Sequence, residues 1–180
     1  CVELDVPVFR HPAPDGGNRP RRDERLERFD ADLWLGFAYE ETLAVATLVL
    51  GGVLDRHPAL DVCVSHGGGA TSWLLERLEH AARTRPWGPD HLADPGEATE
   101  QVRRIWWDAH VGGPQALAAL VTAMGTERIV AGTNLAGWDQ CLDPSHGDGE
   151  LASIFDTNAR RLLRLGGHDS TGSTAPQEER

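Results

Sequence analysis

Apolar residues along this chain fall into short runs separated by longer amphipathic stretches. Four runs carry the β-branched and aromatic residues that suit strands: Val6-Pro7-Val8-Phe9, Leu60-Asp61-Val62-Cys63-Val64, Ile105-Trp106-Trp107 and Ile129-Val130-Ala131. They show little polar alternation, as expected of strands covered on both faces of a parallel sheet. Between them lie helical patterns. Glu40 to Arg56 is rich in Ala and Leu and predicts a buried helix with a weak point at Gly51-Gly52, since each Gly costs ~1 kcal/mol relative to Ala. Ser72 to Arg83 places Leu74, Leu75, Leu78, Ala81 and Ala82 on one stripe, with charged residues opposite. Pro114 to Met124 begins with Pro and stops at Gly125, the usual asymmetry of helix ends. Leu151 to Leu163 sets Leu151, Ile154, Phe155 and Leu162 to one side.

The order is β-α repeated four times, which predicts an α/β fold with a parallel sheet and right-handed crossovers. Two segments depart from it. Asp15 to Arg28 reads as a polar loop leading toward a helix, and Arg85 to Ala98, with Pro86, Pro89 and Pro95, reads as a loop over a surface or site. Residues 1–165 form one domain in this reading, and 166–180 a polar, disordered tail.

Composition narrows the function. The chain has 180 residues and a net charge of −11, with all 17 of its basic residues Arg. That balance is poor for neutralising phosphate backbones, so nucleic acid is not an expected partner. The Arg-rich stretch from Arg19 to Arg28 is interleaved with Asp23, Glu24 and Glu27 and reads as a solvated face. The longest apolar run, Leu43 to Leu54, is shorter than the ~20 residues a membrane span needs, and no signal peptide is visible. Three scattered cysteines without a CxxC pair make neither a disulfide framework nor a Cys-based zinc site. The expected setting is cytoplasmic.

The chemistry collects where the strands end. The first run leads into Arg10-His11-Pro12, the second into Ser65-His66-Gly67-Gly68-Gly69, the third into Asp108-Ala109-His110 and the fourth into Gly132-Thr133-Asn134. In parallel α/β folds the C-terminal edge of the sheet is where sites are built. His66 stands before three glycines that let backbone approach a ligand, and an imidazole there suits a general base or a metal ligand. The competing reading is a buried His bonded to backbone above a tight turn. His11, held out of helical geometry by Pro12, is a candidate ligand for a divalent metal; zinc fits such nitrogen and oxygen donors. A solvent-exposed loop His is the simpler alternative.

Of Asp108 and His110, only one is expected to face the interior. Asn134 offers an amide oxygen, and Asp139, five residues on, a true carboxylate from the loop. Trp106, Trp107 and Trp138 read as packing or pocket walls, and His57, His80, His91, His146 and His168 as surface residues. Ser65 lacks the GxSxG setting of a nucleophile, and the glycine run lacks a nucleotide-binding pattern.

Taken in order, several stretches resemble the C-terminal half of the amidohydrolase-related family typified by aminocarboxymuconate-semialdehyde decarboxylase. They are Pro7-Val8-Phe9-Arg10-His11-Pro12, Glu40-Glu41-Thr42, Leu50-Gly51-Gly52-Val53, His57-Pro58-Ala59-Leu60, Ser65-His66-Gly67-Gly68-Gly69, Trp107-Asp108, Met124 to Ile129, Gly132-Thr133-Asn134 and Asn158 to Leu163. The resemblance implies the C-terminal half, four βα units, of a (β/α)8 TIM barrel, and a metal-dependent hydrolase or nonoxidative decarboxylase acting on a small carboxylate. On that analogy His11 is a metal ligand, His66 the catalytic histidine, and Asn134 stands where the family has a metal-binding or proton-handling Asp. Asn cannot act as a base and carries no charge to hold a cation. The family's N-terminal HxH or ExH metal pair does not occur in these residues. A half-barrel leaves its edge strands open, so the reading implies a homo-oligomer or an N-terminal half-barrel as partner. The alternatives are a non-catalytic relative that binds a ligand or partner subunit, and an open four-stranded α/β fold.

Overall fold

The computed structural model describes residues 1–12, 24–140 and 149–165. Cys141, His146, His168, the 166–180 tail and most of the Arg-rich loop lie outside them. Four strands form one parallel sheet in the order β1 (Val8–Arg10), β2 (Val62–Val64), β3 (Trp106–Asp108) and β4 (Ile129–Val130). Val8 pairs with Val62, Cys63 with Trp106 and Trp107 with Ile129. Each strand sits within two residues of its predicted run, shortened because neighbouring strands pair over only two or three positions.

Side chains alternate across this sheet. Val62, Val64, Trp107 and Ile129 point into the main core, against helices α1 (Phe37–Leu50), α3 (Thr71–Thr84) and α5 (Pro114–Met124). Cys63, Trp106 and Val130 face the other way and meet Leu162 from α6 (Gly149–Leu162). Burial pushes the Cys63 thiol up to about 12, so it stays protonated and behaves as a small apolar side chain.

The predicted helix over Glu40 to Arg56 is two helices. The chain breaks at Gly51-Gly52, where Gly52 takes φ +61, and resumes as α2 (Val53–Arg56). At the other end α1 is preceded by a wider π-type turn over Asp32–Gly36. Counted with these irregular first turns, Arg28–Leu50 is long and apolar enough to cross a membrane by length and composition, which the apolar run alone did not suggest. Its Glu41, Val45 and Val49, spaced four apart, are buried, the last two in the core against the sheet.

The loop reading of Arg85 to Ala98 needs correction. It contains a 3-10 turn, Asp90–Leu92, with Leu92 fully buried, and leads into a helix the prolines concealed, α4 (Glu97–Arg103). His91, read as a surface residue, is half-buried with its Nε2 3.0 Å from the Val49 carbonyl. This segment therefore closes the C-terminal end of α1, the opposite end from the strand-end histidines.

At the N-terminal edge of the sheet a polar network ties the strands down. Asp61 accepts from Trp106 Nε1 at 2.7 Å and from Arg128 Nη1 at 3.0 Å, and lies 2.9 Å from Arg164 Nη2. Arg128 and Arg161 stack over the Trp106 ring, each 4.9 Å from a ring centre. Asn158 donates to the Thr126 and Ile129 carbonyls, both at 2.7 Å, fixing α6 beneath β4.

Candidate active site at the strand ends

The C-terminal edge gathers His11, His66, Asp108 and His110. His66 follows β2 and takes φ +50, a left-handed conformation costing about 1 kcal/mol or more for a residue with a Cβ. The glycines after it fill a tight space. A Cβ on Gly68 would lie 2.2 Å from the Trp107 ring, and one on Gly69 would lie 1.9 Å from the Ala38 carbonyl oxygen. Only glycine lets this turn close between β3 and α1 while all three residues hold positive φ.

The turn carries the His66 ring to His11, with the two Nε2 atoms 3.2 Å apart and ring centres at 5.0 Å. His11 Nδ1 contacts the Pro12 carbonyl, which can only accept. Neutral His11 therefore carries its proton on Nδ1 and presents a lone pair at Nε2. His66 completes the contact by donating from Nε2. Burial, with the neighbouring His11 and His110, pushes the His66 imidazolium down to about 4, so the ring is neutral near pH 7.

His110 joins this group, against the expectation that only one of Asp108 and His110 turns inward: two residues apart on an extended chain, they share a face. Asp108 ends the strand, and its Oδ1 accepts from the Gly67 N–H at 3.1 Å and the His110 N–H at 3.2 Å. Desolvation pushes the Asp108 carboxyl up to about 6 against those two bonds. The His110 ring centre is 5.5 Å from that of His66, and its Nε2 is 3.0 Å from Asp139 Oδ2. Its Nδ1 is buried without a partner.

Asn134 is placed differently from expectation. Its φ is +46, and its Nδ2 donates to Asp139 Oδ1 at 2.5 Å; it bonds neither His11 nor His66. The loop carboxylate is thus gripped from both sides. The bonds from His110 and Asn134 outweigh its desolvation and hold Asp139 below the usual carboxylate range. His66, His110 and Asp139 line a cavity of about 570 Å3, walled by Trp34, Phe37, Trp73, Val111 and Trp138. Trp138 is the pocket wall anticipated from sequence, whereas Trp106 and Trp107 are buried in packing. Ser65, dismissed as a nucleophile, donates to Glu41 Oε1 at 2.5 Å instead.

Sequence reasoning missed the His110–Asp139 pair, the walls Trp34 and Trp73, and buried Glu41. For Glu41 a signal existed: it shares a helical stripe with Val45 and Val49, four and eight residues on, where a solvated Glu has no place. As a metal site the group is partial. The His11 tautomer, with Nδ1 on a backbone carbonyl and a lone pair at Nε2, is the one a metal-bound imidazole adopts, although here that lone pair faces His66. Among the described residues, though, no three His, Cys, Asp or Glu side chains converge to hold an ion.

A parallel α/β sheet presenting histidines and carboxylates at one edge, beneath an aromatic pocket, has the form of an enzyme site. The chain belongs to the amidohydrolase family, which it matches over residues 1–165. It is 31% identical over 134 residues to the 2-amino-3-carboxymuconate-6-semialdehyde decarboxylase of Dictyostelium discoideum, covering 74% of this chain and 36% of that one. To a gamma-resorcylate decarboxylase of a Rhizobium species it is 26% identical, covering 92% and 52%. In fold it resembles a 5-carboxyvanillate decarboxylase from Novosphingobium aromaticivorans solved with bound manganese, with a TM-score of 0.73, 21% identity, and coverage of 91% and 50%. The chain thus spans between a third and about half the length of these relatives.

Proposed function

We propose that this chain carries four of the eight βα units, the C-terminal half, of a metal-dependent amidohydrolase-family barrel that removes a carboxyl group from a small aromatic acid. Three things support the half-barrel: every strand pair is parallel, β1 and β4 each have one unpaired edge among the described residues, and the solved relatives are covered to about half. The other four units would come from a further segment or a partner chain. The observation that carries the chemistry is the contact of His11 with His66, whose ring lines an aromatic pocket.

In this reading the aromatic walls take the substrate ring. His66, neutral near pH 7, shuttles the proton: its unprotonated ring nitrogen takes one from solvent or from the substrate acid and passes it to the ring carbon that loses its carboxyl, returning to neutral, while the electrons of the broken carbon–carbon bond form the new carbon–hydrogen bond and CO2 leaves. His110, oriented by Asp139, lines the wall beside His66 and holds the neutral ring in place. His11 would give its Nε2 lone pair, which His66 occupies here, to a divalent ion, with zinc and manganese both compatible, and Asn134, the other candidate ligand, would act through its bond to Asp139. When bound, such an ion polarises substrate oxygens. Hydrolysis at the same site uses the same groups and remains within the proposal.

The test is release of labelled CO2 from carboxyl-labelled 2,6-dihydroxybenzoate by the protein supplied with Mn2+. Turnover that falls at least about 100-fold in His66→Ala supports the reading; equal turnover in the variant overturns it. The absence of a three-donor cluster among the described residues favours a second reading, a non-catalytic relative that binds a carboxylate ligand. Saturable binding of the acid without turnover is its signature.

A further inference from the structure

Glu41 is the one fully buried acidic side chain among the described residues, with 0% exposure. A carboxylate so placed survives only where partners compensate for lost hydration. Its partners are Ser65, whose Oγ donates to Oε1 at 2.5 Å, and Arg10, whose Nη1 lies 3.0 Å from Oε2. These two residues immediately precede His66 and His11. Each is joined to its histidine by a single peptide unit, so a group that grips Arg10 and Ser65 also restricts where His11 and His66 project.

The backbone offers little else to do this. The β1–β2 ladder ends with the Ser65 N–H on the Arg10 carbonyl at 3.1 Å, and no backbone bond joins His11 to His66 beyond it. Past that point the chains diverge, one toward Pro12 and the other into a glycine turn. The 3.2 Å between the imidazoles needs a support outside the ladder. We propose that Glu41 is that support: a positioning residue on α1 that holds one strand end with each carboxylate oxygen and so fixes the separation of the two histidines. Helix α1 is itself anchored through Val45 and Val49, which makes the strut rigid. A Gln at this position would keep the Ser65 bond and lose the charge facing Arg10. An Asp would be one methylene too short to hold both ends.

This inference rests on the reading that His11 and His66 form one site, but its test does not depend on turnover. The metal-free full chain, labelled with 15N at histidine, is observed by long-range imidazole NMR together with thermal unfolding. Wild type should show a hydrogen-bonded His66 Nε2 proton in contact with the His11 ring. In Glu41→Gln that proton should exchange with water about tenfold faster, and faster still in Glu41→Asp. Ser65→Ala, a smaller change suited to the case in which a Glu41 variant does not fold, should also speed exchange. Gln101→Ala breaks a bond to Asp55 on α2, beyond the C-terminal end of α1, and serves as the control for general destabilisation. An unchanged His66 proton in folded Glu41→Gln or Ser65→Ala overturns the proposal, as does equal acceleration in Gln101→Ala. Loss of the signal in the first two alone supports it, whether or not any carboxylate is turned over.

Discussion

The two edges of the sheet use the same residue types for opposite ends. At the N-terminal edge Asp61 has a Trp N–H and two guanidinium groups around it, and these outweigh its desolvation to hold the carboxyl below its ordinary range. At the C-terminal edge Asp108 is pushed up, His66 is pushed down and takes a left-handed backbone, and His110 keeps a buried nitrogen unpaired. Polar groups at the first edge have spent their bonding capacity on one another. Those at the second have not, which leaves capacity for a ligand.

The sharpest way to break this contrast is a substitution at the site edge that costs only stability. Gly69→Ala forces a Cβ against the Ala38 carbonyl at a positive-φ position and should cost about 4 kcal/mol in urea unfolding. A tolerant Gly69→Ala would show that the turn is looser than described. At the other edge Asp61→Ala strands Trp106, Arg128 and Arg164, and should cost about 3 kcal/mol while leaving the histidine NMR signals in place. Altered His66 signals in that variant would dissolve the division between the edges.

Acidity separates the site groups further. Asp108 has a folded-state value above its ordinary 3.8, so its contribution to stability is complete below 3.8 and is lost as pH rises through about 6, on the order of 3 kcal/mol. His66 has the opposite sign: its contribution is present above 6.5 and is lost as pH falls through about 4. These windows overlap with opposite signs, so between pH 4 and 6.5 unfolding of Asp108→Asn should show stability rising with pH, and that of His66→Asn should show it falling. The smallest expected effect is that of Asp139→Asn. Removing a partly exposed carboxylate that bridges His110 and Asn134 should change stability by less than about 1 kcal/mol and show mainly as shifted His110 ring NMR signals.

Much of this architecture was legible in the residue pattern. The β-branched and aromatic runs located every strand, and Pro114 and Gly125 bounded α5 without error, because local propensity and burial agree there. The expectation that only one of Asp108 and His110 turns inward failed because residues two apart on an extended chain share a face. Helix α4 was hidden behind Pro95 and Gly96, which stand at its N-terminus and do not interrupt it. His11 and His66 were found by position at strand ends, but their mutual contact spans 55 residues and no local pattern encodes it. The placement of Asn134 against Asp139 follows from a left-handed turn that a residue name does not announce.

Arg164 bonds Asp5 at 2.7 Å and Asp61 at 2.9 Å, linking the segment before β1, the start of β2 and the end of α6. A linear stack of βα units can lose its outermost member without disturbing the next. Here the outermost members hold each other, so opening either one releases the other. The four units should therefore exchange their amide protons as one cooperative block, with protection at the first and last strands matching that at the centre.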